Sequence, residues 1–184
     1  MQHPFEALLA SKRRAVFVPL LVLTLLLMVA MSQAGKPLIN QAAPSGIVSF
    51  ELAWSAPRAQ RIVESWSETA RLYAAFGLGL DFLYLVAYST TIGLACVWAT
   101  SVIRLRDWPL GWVGIPLAWG QWLAALLDAV ENVALFTVLL GPIVEPWPRV
   151  ALWCATFKFA LVFAGLIYAV LTFVAQLVAR FLRR

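Results

Sequence analysis

The chain is poor in histidine, cysteine and charge. Of its 184 residues one is histidine, two are cysteine and 12% are charged. With His3 as the sole imidazole, zinc or haem ligation by histidines inside the apolar part of the chain is excluded. Cys96 and Cys154 both fall in apolar runs and lack the C-x-x-C spacing of metal or redox pairs, so no metal site and no cofactor are expected. Internal repeats are absent, which rules out a solenoid. Apolar side chains are what the chain has in excess. They make up 62% of it and raise the mean hydropathy to +0.85, far beyond a soluble domain of this length. A net charge of +5 would fit nucleic-acid binding only if the cations shared one solvated face. Here they flank apolar runs, so no nucleic acid is expected and membrane lipids are the natural surroundings.

Lys12, Arg13 and Arg14 precede an uncharged run from Ala15 to Met31, about the length of one membrane span. Ser32-Gln33-Ala34 resembles a signal-peptidase site, but the run exceeds an ordinary signal core and is read as a first transmembrane helix over about 15–32. Residues 35–65 are rich in Pro, Ser, Gly and Gln and form an outer loop. Within it, Ile47 to Leu52 is β-prone. Ser55-Ala56-Pro57 starts a short amphipathic helix through Ile62, Val63 and Trp66, expected to lie on the membrane surface as a lid or as a contact for a partner. Ser65 and Glu68 have capping-box spacing, placing a second span at about 68–103. Third and fourth spans follow at about 112–140 and 150–179, separated by the proline-rich turn 141–149.

Basic residues set the orientation. Lys12, Arg13, Arg14, Arg104, Arg106, Arg180, Arg183 and Arg184 gather on one side, against Lys36, Arg58, Arg61, Arg71 and Arg149 on the other, with Lys158 inside a span. Both termini are therefore expected in the cytoplasm. The fold class is an all-α bundle of four transmembrane helices, one membrane domain over 1–184, with a partly structured outer loop between the first two helices.

The informative residues are the polar ones inside the spans. At 1.5 Å rise per residue, Asp81 lies roughly 14 Å below Leu72, Glu131 roughly 14 Å below Leu140, Asp128 roughly 18 Å below it, and Lys158 roughly 12 Å below Val150. Charges on three helices thus reach one level, which predicts that they meet inside the bundle. Asp81, Tyr84 and Tyr88 share a face of the second helix; Gln121, Asp128 and Asn132 share one on the third, with Glu131 beside them. The same arithmetic sets Cys96 and Cys154 at very different depths, too far apart for a disulfide. Three acids with one lysine leave two negative charges in excess, which requires bound protons or a bound cation. Such a cluster either fixes helix register, or lines a ligand pocket with Tyr84, Tyr88 and Trp153, or performs acid-base work through Asp128 or Glu131.

Gly77-Leu78-Gly79-Leu80-Asp81 comes near the G-x-G-D pattern of intramembrane aspartyl proteases but carries one leucine too many, turning the aspartate about 100° round the helix. The glycines are read instead as sites of close helix packing. LDFLYLVAYS at 80–89 and LLDAVENVAL at 126–135, with FELAWS at 50–55 and a lysine in the last helix, resemble uncharacterised bacterial four-helix membrane proteins. That resemblance implies the architecture and a bacterial inner membrane, and no activity. Claudin-like proteins share the helix count, but the outer loop here lacks their cysteine pair and tryptophan signature. The expected role is an accessory or ligand-binding membrane protein whose partner is a lipid-like ligand or another protein. The alternative is a small enzyme or proton-coupled carrier acting on a lipid-like substrate through Asp128 or Glu131.

Overall fold

The computed structural model describes residues 3–8 and 10–182, so Arg183 and Arg184 lie outside the described residues. Among the described residues six α-helices account for most of the length: α1 (Ala10–Gly35), α2 (Ile47–Glu51), α3 (Ala56–Ser65), α4 (Glu68–Leu105), α5 (Gly114–Leu140) and α6 (Trp147–Phe181). No strand occurs among the described residues. Four of the helices, α1, α4, α5 and α6, are long and apolar enough to cross a membrane, as a multi-pass protein requires. Residues 36–67 join α1 to α4 at one end of the bundle, here the connector end; the opposite end holds both termini of the described chain.

The bundle is built on α4. Its span is 67% buried, against 6% for that of α1, because α4 alone packs against all three other long helices. Close approach depends on small residues. A Cβ at Gly165 of α6 would collide with the Gln121 side chain of α5, and one at Gly114 would collide with Thr100 and Tyr168. By contrast, a Cβ at Gly77 or Gly79 meets nothing within 4 Å, so the expected packing role of that pair is corrected. α1 packs chiefly on α4, through a hydrogen bond of 3.0 Å between the Thr24 and Thr91 hydroxyls and one of 2.6 Å from Arg13 Nη1 to Ser101 Oγ.

The connector holds the main departures from expectation. Ile47–Glu51 is a helical turn rather than a strand. A lone extended segment would leave its backbone groups unpaired among apolar side chains, whereas the turn satisfies them locally and buries Phe50 against Trp66. Gly46, at φ 57°, makes the entry to α2; a Cβ there would be strained and would sit 3.3 Å from Ile39 Cγ1. The N-cap of α4 is Ser67, which accepts from the Ala70 amide at 3.2 Å, and not Ser65, whose hydroxyl donates to the Ile62 carbonyl within α3. α3 does begin at Ser55, with Pro57 in its first turn. Its apolar face, Ala59, Ile62 and Val63, packs into the connector core rather than onto lipid. The connector is thus a plug with its own core, seated on α4, α5 and α6 through Ala74, Leu135 and Ala151.

His3, near the end of the chain, is packed into the bundle. It is 1% exposed, its ring lies 4.9 Å and 4.8 Å from those of Trp119 and Trp122, and it caps the short 3-10 turn Pro4–Ala7. Burial lowers its pKa, with Glu6 opposing that shift.

Candidate functional site

α5 presents Asp128, Glu131 and Asn132 at spacings of three and four, so all three project from one side of the helix into the bundle. Each meets a partner from another helix. Lys158 Nζ of α6 donates to Asp128 Oδ1 at 2.8 Å and lies 2.8 Å from Glu131 Oε2. The second contact is an ion pair, and Glu131 Oε1 has no hydrogen-bond partner. Tyr88 of α4 donates to Asp128 Oδ2 at 2.9 Å, so both oxygens of that carboxylate are occupied. Asn132 Nδ2 donates to Asp81 Oδ2 at 2.6 Å and ties α5 to α4. Asp128, Glu131, Asn132, Lys158, Asp81 and Tyr88 are all buried. Tyr84 is half-buried, with its ring 5.2 Å from that of Tyr88.

Two residues singled out from the sequence are placed elsewhere. Gln121 lies two turns from Asp128; its amide donates to the Leu161 carbonyl at 2.9 Å and presses on Gly165, making an α5–α6 packing contact outside the cluster. Trp153 is 59% exposed and faces away from the interior. One residue was missed. Glu51, the last residue of α2, brings a fourth carboxylate down from the connector, and its Oε2 is shut off from solvent with no hydrogen-bond partner. The available signal was an acid inside the apolar stretch IVSFELAW, but a loop residue carries no helical depth by which to place it at the level of Asp81.

Glu51, Asp81, Asp128 and Lys158 form one end of a cavity of about 540 Å³. From there the walls turn apolar: Leu21, Leu25 and Met28 on α1, Ile92 and Ala95 on α4, and Val162, Leu166 and Phe173 on α6. The cavity exists because α1 and α6 rest on different parts of α4, leaving a lengthwise groove between them. From Lys158 to Phe173 it runs about 22 Å along α6. A second, small cavity of about 40 Å³ lies on the connector side of Glu51 and Asp81, lined also by Gly77, Leu78 and Asn132, and these two carboxylates with Met31 and Ile47 stand between the chambers. Among the described residues no three His, Cys, Asp or Glu side chains converge to hold a metal ion. No protein family, curated protein or solved structure matches this chain.

Two predictions test this arrangement. Lys158→Met leaves Asp128 and Glu131 buried without a cation and should lower stability by about 3–5 kcal/mol in detergent unfolding. Adding Asp128→Asn and Glu131→Gln to that variant should restore most of the loss; no recovery would mean that the lysine acts through packing and not charge.

The second concerns Glu51, outside the spanning helices. Burial holds its carboxyl above the ordinary 4.5, opposed by Lys158 and reinforced by Asp128, with Asp81 and Glu131 also close by. The folded protein therefore binds this proton more tightly than the unfolded chain does, and the stability it contributes is complete below the ordinary value and lost as pH rises through the raised one. The melting temperature of the natural protein should fall with rising pH across that window more steeply than that of Glu51→Gln. Parallel curves would show that Glu51 is not protonated on folding.

Proposed function

We propose that this protein is a ligand-binding protein of a bacterial inner membrane, with both termini cytoplasmic, that takes an amphiphile from the bilayer into the groove between α1 and α6. One observation carries the reading: a single cavity joins a polar, charged end to a long apolar wall, the division of character that an amphiphile has. The groove lies along apolar helix faces, so a lipid-like molecule reaches it sideways from the membrane without crossing water. Orientation is argued from the cations, Lys12, Arg13, Arg14, Arg104, Arg106 and Arg180 standing at the end opposite the connector. The likeness to uncharacterised bacterial four-helix proteins belongs to the same proposal and supplies no ligand.

The cluster chemistry favours binding over turnover. Asp128, the better placed acid-base candidate, has both oxygens held by Lys158 and Tyr88, while Glu131 stands behind Lys158 and does not line the cavity. Neither carboxylate is left free to accept a substrate proton. The Lys158 network instead fixes the depth at which α5 and α6 meet and so gives the groove a rigid polar end.

Native mass spectrometry of gently extracted protein tests the reading. The natural protein should retain a bound species of lipid-like mass, and Val162→Trp, which fills the groove wall, should lose it while remaining folded. A natural protein that flies bare, or a tryptophan variant that keeps the same species, would overturn it. A reporter fused to the C-terminus and active only in the periplasm should stay silent; activity would reverse the orientation.

A further inference from the structure

The charges at the head of the groove are unequal. Four carboxylates, Glu51, Asp81, Asp128 and Glu131, share one ammonium, that of Lys158. Its charge is already engaged, at 2.8 Å from Asp128 and 2.8 Å from Glu131. What remains faces the cavity. Asp81 has only the neutral Asn132 amide, on Oδ2, and Glu51, with Oε2 closed to water and without a donor, has only its other oxygen to offer the cavity it lines. These two come from different parts of the fold, Glu51 from the connector and Asp81 from α4, and both line the cavity where its polar end begins. A buried carboxylate without a donor is costly; in the free protein a bound proton relieves that cost, and a bound cation would take the proton's place.

The possible occupants differ in what they offer. A phosphate- or carboxylate-headed lipid brings a further negative charge to a site that already has an excess. A neutral alcohol supplies one donor for two acids. A bare metal ion needs several converging oxygens, which the described residues do not supply, and would leave the apolar groove unused. A protonated primary amine at the end of an alkyl chain supplies a positive charge and three N–H donors, and its chain matches the apolar wall. Resting on the proposed groove function, we infer that the ligand is a single-chain amphiphile with a primary-amine head, whose ammonium sits between Glu51 and Asp81 and whose chain runs along α1 and α6 toward Phe173.

This assigns the connector a part in recognition. Glu51 is held by α2, whose entry at Gly46 and anchor at Phe50 belong to the plug, so the headgroup contact is made jointly by plug and bundle. The small chamber behind the two acids admits a water molecule at the head and leaves no space for a bulky substituent on the nitrogen.

The experiment uses the full chain in phosphatidylcholine nanodiscs with four photoreactive probes that share a diazirine-bearing hexadecyl chain and end in a primary amine, a hydroxyl, a carboxylate or a trimethylammonium. Labelled residues are located by mass spectrometry. The amine should label groove residues of α1 and α6 at about tenfold lower concentration than the alcohol, with the carboxylate weakest. Glu51→Gln and Asp81→Asn should each erase most of the advantage of amine over alcohol. If no probe labels the groove, the groove function itself fails. If all label it equally, or the carboxylate labels best, the groove stands and the amine assignment is overturned. Labelling by trimethylammonium equal to that by the amine would replace N–H donation by charge alone, also against the assignment. Should either variant misfold, the amine-to-alcohol ratio of the natural protein decides by itself.

Discussion

Charge in a low-dielectric interior has to be paired, and the pairing of Lys158 with Asp128 and Glu131 is the constraint on which the bundle depends. Apolar packing alone would allow α5 and α6 to slide past each other, since lipid-facing and helix-facing side chains are similarly apolar. The two contacts at 2.8 Å select one register. Once α5 is fixed against α6, Asn132 and Asp128 meet Asp81 and Tyr88 of α4, and the third helix is set at the same level. Gln121, pressed on Gly165 further along the same pair, holds that register at a second depth with a neutral amide in place of charge.

α1 stands outside this network, and the groove follows from that. Besides apolar packing, it is tied to α4 by a threonine pair, an arginine-serine contact near the terminal end and the edge-to-face packing of Phe17 on Trp98. α1 and α6 approach each other through Trp98, which also packs edge-to-face on Phe173, so above that ring the face of α4 between them stays uncovered by helix. The connector closes this space at one end only. It brings Glu51 to the polar head and Ile47 and Val48 to the wall, while its own core of Phe50, Trp66 and Ile62 keeps the plug rigid. A rigid plug above and a loosely tied helix to the side suit a site entered laterally.

Much of the site was legible in the sequence, and the reason is geometric. A helix converts residue number into depth at a fixed rise, so Asp81, Asp128, Glu131 and Lys158 could be placed on one level before any contact was known. The same regularity put Asn132 beside Asp128. The same rise sets Gln121 roughly 10 Å from Asp128 in depth, so only the face that a spacing of seven shares had grouped it with them. Helical rise could not place Glu51, since depth arithmetic ends where the helix ends, and Ile47–Leu52 was misread because strand propensity outweighs a five-residue turn until Phe50 and Trp66 are known to pack together.

The sequence by itself determined the helical class, the four apolar spans and the level at which the buried charges lie, because hydropathy and helical rise are local properties. Tertiary structure alone decided which carboxylates Lys158 engages, which acids are left over, and that a groove opens beside them. Those outcomes depend on the rotation of each helix about its axis and on where α1 and the connector dock, which are settled by packing between residues far apart in the chain.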